Sequence, residues 1–278
     1  MKAFSLIAAI FFSFTASSQY YYKDIIGTKE SAELITSYRH NKVQKVALNS
    51  YTVNNTPIEN FIIRQEFLPA QQALQTITKT EYSHPSYLTS YINNNGKLVK
   101  ATDSSNGIIN TSVYSYNNAG QLASIFITAG DTLAATQTDE HQWQYNAQNK
   151  VTRMLRIKNK KDTAIVTFKL DEAGNVIEEQ EKRRAVTEEP FYYYYDDSNR
   201  LTDIVRYSPK ARRLLPEYMF EYSQTNQVIQ RITVPQNSNQ YLIWRYAYSD
   251  KGLRTKEVIF NKDKEQTGKV EYQYTFSN

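Results

Sequence analysis

One short pattern recurs along the chain and constrains its fold more than any other feature. Two aromatic residues one apart are followed by three polar residues, Gly or Asn, a polar residue, and Leu or Val. The pattern runs through Tyr114, Tyr116, Gly120 and Leu122, and again through Trp143, Tyr145, Asn149 and Val151. Further copies are Phe168, Leu170, Gly174 and Val176; Tyr193, Tyr195, Asn199 and Leu201; and Phe220, Tyr222, Asn226 and Val228. Tyr246, Tyr248 and Gly252 form the last full copy, with Arg254 in place of Leu or Val. The Gly/Asn positions 120, 149, 174, 199, 226 and 252 lie 29, 25, 25, 27 and 26 residues apart. Upstream, Ile92 with Gly96 and Leu98 fits with one aromatic missing. Tyr38 to Val43 reads as a degraded copy, and Phe67 to Leu74 as a weaker one. The chain ends on Tyr272, Tyr274 and Phe276, the first half of another unit.

Each unit reads as a β-hairpin. Aromatic residues one apart alternate as on a strand, so both rings share one face. Gly or Asn after a polar run supplies the positive φ of a tight turn. Leu or Val then restarts the strand, as at Leu122 to Ile127 and Leu201 to Val205. A unit of about 26 residues holds two strands, so about eight units give about sixteen strands. Each ring can bury about 150–250 Å², or about 4–6 kcal/mol as an upper bound, so the two aromatic columns read as core. One short helix is expected within Thr28 to Asn41, capped by Thr28 or Ser31 and covering the first edge of the sheet. Longer polar loops are expected at Thr128 to Gln142, Arg183 to Pro190, Ser208 to Pro216 and Pro235 to Gln240. No composition shift marks a second domain, so residues 19–278 read as a single β-repeat domain, clearest from 90 to 276.

The N-terminus reads as an address. Met1-Lys2 precedes an apolar stretch from Ala3 to Phe14, and Ala16 and Ser18 suit a cleavage site. Residues 1–18 are therefore expected to be a signal peptide and Gln19 the mature start. The apolar run is about 12 residues, short of the roughly 20 that span a bilayer as a helix. Loss of Lys2 takes the net charge from +5 to +4. Cys is absent, which excludes disulfides, thiolate metal sites and a cysteine nucleophile. Export without cysteine fits the periplasm, outer surface or surroundings of a Gram-negative cell. The mild positive charge together with export argues against nucleic acid as a partner.

The segment Tyr195, Asp196, Asn199, Arg200, Leu201 resembles the Tyr-Asp-x-x-Gly-Arg-Leu repeat, the YD repeat, of bacterial RHS proteins and teneurins. Looser matches run from Tyr116 to Leu122, Tyr145 to Val151 and Leu170 to Val176, and the resemblance covers roughly residues 90–276. It implies a long antiparallel sheet that spirals into a shell, a casing or adhesive scaffold without catalytic activity of its own. Here Asn often replaces Gly, Asp is often lost, and the repeats are few. The expected fold is therefore all-β: tandem hairpins in an extended, curved antiparallel sheet, a YD-shell-like wall and not a closed capsule, with one short N-terminal helix. The repeat positions expected to build it are Tyr114, Tyr116, Trp143, Tyr145, Phe168, Tyr193, Tyr195, Phe220, Tyr222, Tyr246, Tyr248, Gly120, Gly174, Asn199 and Gly252.

No nucleophile elbow, phosphate-binding loop or His-Glu-x-x-His motif occurs, so the sequence names no catalytic, cofactor-binding or metal residue. His40, His84 and His141 are scattered. Asp139-Glu140-His141 is the tightest acid–imidazole cluster, and its polar surroundings read as a solvated loop. The adjacent carboxylates Glu188-Glu189 and Asp196-Asp197 would not converge on a strand as glycoside hydrolysis requires. Lys158, Lys160, Lys161, Arg183, Arg184, Lys210, Arg212 and Arg213 fall in the inter-unit loops and would form a basic edge if those loops share a rim. The reading that follows is an exported, non-enzymatic scaffold or binding protein of the cell envelope, with a polysaccharide or an envelope protein as partner. Two alternatives stand beside it. An outer-membrane β-barrel is suggested by the strand number and Phe276; against it stand Glu178 to Arg184 and a mean hydropathy of −0.63. An enzyme of unrecognised type would use a cluster near His141.

Overall fold

A computed structural model describes residues 20–130, 136–235, 238 and 240–277. The expected signal peptide lies outside the described residues. One helix, α1 (Lys23–His40), precedes nineteen strands. The first six are β1 (Val43–Tyr51), β2 (Ile62–Leu68), β3 (Ala73–Lys79), β4 (Ser86–Ile92), β5 (Leu98–Ser105) and β6 (Ile108–Tyr116). Then come β7 (Leu122–Gly130), β8 (Gln137–Tyr145), β9 (Val151–Lys158), β10 (Asp162–Leu170), β11 (Val176–Arg183), β12 (Val186–Thr187) and β13 (Phe191–Tyr195). The last are β14 (Leu201–Ser208), β15 (Arg213–Tyr222), β16 (Val228–Thr233), β17 (Leu242–Tyr248), β18 (Arg254–Phe260) and β19 (Gln266–Phe276).

Every strand pairs antiparallel with its sequence neighbour, and β1 pairs with both β2 and β19. The two-residue β12 is a side branch, because β11 pairs onward with β13. The sheet is thus a closed ring of 18 strands, an up-and-down β-barrel. Closure corrects the expected open, curved wall, and with it the secreted or periplasmic YD-repeat scaffold sheet drawn from that wall. The physical reason lies at the two edges of the sheet. The half unit of β19 leaves an edge of unpaired backbone groups, which β1 occupies from Val43↔Phe276 to Tyr51↔Lys269. The apparent degraded copy at Tyr38 to Val43 is accordingly no hairpin: Tyr38 lies on α1, and only Val43 onward is strand.

The repeat positions all do the same local work. At each of six hairpins the register shifts at the second column, for example between Ser115 and Tyr116 and between Tyr194 and Tyr195. A five-residue turn follows whose Gly or Asn has positive φ: Gly120 at 77°, Asn149 at 59°, Gly174 at 83°, Asn199 at 57°, Asn226 at 62° and Gly252 at 73°. The first turn residue accepts the backbone N–H four positions on, through Asn117, Asn146, Asp171 or Asp196. Ser223 and Ser249 do the same through a hydroxyl. Any short acceptor closes this loop, which is why the Asp of the motif is dispensable.

The second column has its own logic. The hydroxyls of Tyr116, Tyr145, Tyr195, Tyr222, Tyr248 and Tyr274 donate to the carbonyls of Leu98, Leu122, Val176, Leu201, Val228 and Arg254. Each bond, 2.6–2.9 Å long, ties one unit to the Leu/Val position of the unit before it.

Alternation sends the rings inward. Trp143, Phe168, Phe191 and Tyr193 are buried with Leu122, Ile125, Met154 and Ile204, and Tyr114, Tyr116, Tyr145, Tyr195 and Phe220 pack against them. Outward positions are mixed: Lys45, Arg64, Gln144, Lys169, Arg245 and Lys256 are exposed, and so are Val113, Phe126, Tyr194 and Met219. Cross-strand ion pairs lie on that face, Lys45–Glu66 at 3.4 Å and Lys169–Glu178 at 2.7 Å. A ring of 16–18 strands is too wide for wall side chains alone to fill. Helix α1 occupies the space: Tyr38 donates to Gln65 on β2 at 2.7 Å and packs edge-on against Tyr274. The segment before the helix reaches the far wall, where Tyr20 meets Phe191, Tyr193 and Tyr218. The helix therefore plugs the lumen and does not cover a sheet edge, and it begins five residues earlier than Thr28. Among the described residues no helix is long and apolar enough to cross a membrane.

Candidate functional site: a plugged lumen

The N-terminal segment is held by a chain of buried polar groups. Glu179, on β11 and 2% exposed, accepts the backbone N–H of Tyr21 at 2.6 Å and of Tyr22 at 2.8 Å, and the Tyr193 hydroxyl at 2.7 Å. A carboxylate thus meets the positive end of α1, where Tyr22 offers no side-chain cap. Burial pushes the Glu179 carboxyl up to about 7, although those three donors pull the other way.

Beside it His141 Nδ1 lies 2.5 Å from Asp24 on α1, and Nε2 lies 3.6 Å from Asp139. Arg156 donates to Asp139 through Nε at 3.0 Å and to the Tyr21 hydroxyl at 2.9 Å, and that hydroxyl donates to Glu181 at 2.9 Å. Burial alone would lower the His141 pKa, but the Asp24 charge and the bonds to Asp139 and Asp24 reverse it and hold it at about 9. Asp139 is conversely held at about 2, because the hydrogen bonds from His141 and Arg156 outweigh its desolvation.

The structure moves Asp139 and His141 out of the expected solvated loop. The stretch 137–145 is strand β8, Asp139 and His141 share its inward face, and His141 is 6% exposed. Their polarity is answered by Asp24 and Arg156, 115 and 17 residues away from Asp139, which no local pattern could show. The loops expected at Arg183 to Pro190 and Ser208 to Pro216 likewise contain β12 and the start of β15. Arg254, which breaks the Leu/Val pattern, points into the lumen as well. It donates to Glu257 at 2.7 Å and lies over the Tyr246 ring at 4.2 Å, and Tyr272 also donates to Glu257. Lys158, Lys160, Lys161, Arg183, Arg184, Lys210, Arg212 and Arg213 fall at the β9–β10, β11–β12 and β14–β15 turns, all at the barrel end opposite the Tyr-x-Tyr hairpins. Within this edge Arg183 is paired with Asp162.

Two cavities flank α1. One, of about 870 Å³, lies between the helix and the hairpin turns and is lined by Lys29, Arg39, Lys97, Lys150 and Lys251 with Glu33. The other, of about 430 Å³, lies between the first turns of α1 and the walls from β2 to β8. Its lining includes Lys23, Asp24 and His141 from the clasp, apolar Phe61, Ile63 and Leu88, and nine Ser and Thr residues. Of the expected repeat positions only Tyr114 lines it.

No protein-family model matches the chain, and no curated protein matches it. Among solved structures it is similar to a chain of the Photorhabdus luminescens Tc holotoxin pore, at 15% identity and a TM-score of 0.35, over 75% of this chain and 12% of that one. It is similar at 15% identity and a TM-score of 0.34 to a TcdB2–TccC3 structure, over 78% and 12% of the two chains. A porin-like protein from Bacteroides uniformis is 10% identical with a TM-score of 0.35, over 84% of this chain and 98% of that one. This chain spans about 12% of the length of the toxin chains it matches. Scores of this size fix no shared architecture, so the barrel is described from its own pairing.

Proposed function

We propose that this chain is a non-enzymatic binding protein of the Gram-negative cell envelope, a closed β-barrel that uses the lumen beside its own N-terminal helix as a ligand chamber. The observation that carries this reading is the 430 Å³ cavity, within the size range of about 300–1,000 Å³ typical of small-molecule sites. The clasp supports the non-enzymatic part of this reading. His141 is held between two carboxylates, Arg156 is committed to Asp139 and Tyr21, and Glu179 accepts three donors. Groups so engaged anchor a helix and are poor candidates for moving protons to and from a substrate. Filling the chamber tests the reading: ligands that stabilise the mature chain from Gln19 in a thermal-shift screen should fail to stabilise Ala101→Trp. Equal shifts in both proteins would sink it.

Closure favours a second reading, an outer-membrane barrel. Spanning barrels carry an outward apolar band about 25 Å tall, and Arg or Lys near mid-depth costs about 2–4 kcal/mol each. The outward Lys45, Arg64, Lys169 and Arg245 weigh against that band, whereas the outward Val113, Phe126, Tyr194 and Met219 suit it. A carbonate wash of cell envelopes separates the two: release supports the chamber with a hydrated wall, and retention in the membrane supports the spanning barrel.

A further inference from the structure

The 430 Å³ cavity has an unusual lining. Thr78, Ser86, Ser90, Ser105 and Ser112 stand among its nine hydroxyl-bearing Ser and Thr residues, beside Asn110 and the Asp103 carboxylate. They come from adjacent strands: β3, β4, β5 and β6 place several Thr and Ser at inward positions, among Leu88, Ala101, Asp103 and Asn110, where the other side of the barrel has more aromatic rings. This is also where the two-column pattern fades, because β4 and β5 form the unit with one aromatic missing. A wall of small hydroxyl side chains leaves room that rings would have filled.

The second observation concerns satisfaction. The side chains of Ser90, Ser105, Asn110 and Asp103 have no hydrogen-bond or ion-pair partner among the described residues, whereas Thr28 and Ser86 donate to backbone carbonyls. Asp103 has no cation against it, and partial burial raises its pKa. All four residues are half-buried, so their polar atoms are open to water or to a ligand. Apolar Phe61, Ile63, Leu88, Ile125 and Ile127 line the cavity beside these polar groups. Charge is close to balanced: Asp24 is paired with His141, and Lys23 and Asp103 have opposite signs.

Nine hydroxyl-bearing residues and one amide, a carboxylate able to accept from two neighbouring hydroxyls, apolar side chains that include an aromatic ring, and near-zero net charge suit one ligand chemistry. We propose that the cavity binds a neutral sugar, a hexose or N-acetylhexosamine unit, with Asp103 accepting hydrogen bonds from its hydroxyls and Phe61 and Tyr114 facing its C–H surface. The proposal rests on the chamber reading above and specifies what the chamber holds. Apolar side chains cover the C–H faces of such a ring, and the polar side chains replace its water shell.

Calorimetric titration of the mature chain with a panel of neutral hexoses, N-acetylhexosamines and their disaccharides tests it. A second panel of small amines and carboxylic acids serves as the control. The expected result is saturable, one-to-one binding of at least one neutral sugar that Asp103→Asn weakens by about ten- to a hundredfold, the range for losing hydrogen bonds to a charged acceptor. The same variant removes a half-buried carboxylate without protein partners, so it should melt no lower than the parent, which separates lost recognition from lost folding. Binding confined to the amines or acids would overturn the sugar assignment while leaving the chamber reading intact. Silence from both panels would overturn both.

Discussion

Raising the pH from 5 to 9 should loosen the barrel, and the clasp on the N-terminal segment sets the size of the effect. Glu179 stands at about 7 in the folded chain against 4.5 for a free glutamate, a rise of 2.5 units, or about 3 kcal/mol at 1.36 kcal/mol per unit. The fold prefers its protonated form, so this contribution is complete below pH 4.5 and is lost as the pH climbs through 7. His141 stands at about 9 against 6.5, again 2.5 units and about 3 kcal/mol. Its stabilising charge is fully present below pH 6.5 and is lost as the pH climbs through 9. Both groups therefore act in the same direction and in successive windows. Lys23, held below its usual value by burial, acts in the opposite sense.

The sum, about 6 kcal/mol between pH 4.5 and 9, corresponds to a fall of about 10–20 °C in Tm for a domain of this size. Below pH 4 the trend reverses, because Asp139, held near 2, begins to lose its ion pairs on protonation. Near-UV circular dichroism of the many tyrosines, followed against temperature at half-unit pH steps, would read this curve. Glu179→Gln should flatten the window between 4.5 and 7 and leave the upper one; His141→Gln should do the converse. A Tm that stays constant or rises between pH 5 and 8 in the parent would refute the clasp as the main titrating element.

Four further outcomes follow from the same geometry. Phe168→Ala, which removes a buried ring stacked at 5.5 Å on Trp143, should cost about 3–5 kcal/mol in chemical denaturation. Tyr145→Phe should cost about 1 kcal/mol, since it deletes only the 2.8 Å bond to the Leu122 carbonyl. Leu170 fills the second column without a hydroxyl, so Leu170→Tyr should restore a bond to the Val151 carbonyl and raise Tm; a lower Tm would show that this site cannot seat the ring. Gly120→Ala should cost about 1 kcal/mol, because φ is +77° and the new methyl would meet Lys97 Nζ, whereas Gly120→Asn should cost less, as Asn holds the same turn at 149, 199 and 226.

Local features were legible in the sequence to the extent that their causes are local. The alternation at Tyr193 and Tyr195 fixes which face the rings take, and Asn199 and Gly120 mark turns whose positive φ only a few residues tolerate. The clasp was hidden because its members lie far apart along the chain. Glu179 sits in an apparently solvated run of Glu, Gln and Lys, and alternation turns it inward to cap a helix 157 residues upstream. Closure was hidden for a related reason, although its two halves were visible. Tyr272 and Tyr274 on β19 read as the first half of a hairpin, and β1 starts at Val43 with no aromatic pair directly before it. Each end taken alone is a defective repeat. Taken together they are one repeat cut open, and pairing β19 with β1 restores it. The requirement that every strand edge be satisfied then makes the open wall the strained solution and the ring the relaxed one. Once the ring is closed at 18 strands its lumen must be filled, and where the Ser and Thr of β3 to β6 replace rings, the helix alone cannot fill it. The cavity is thus a consequence of the missing aromatic at the unit of Ile92 and Leu98, a gap in the repeat that reads as decay along the chain and as a chamber in the barrel.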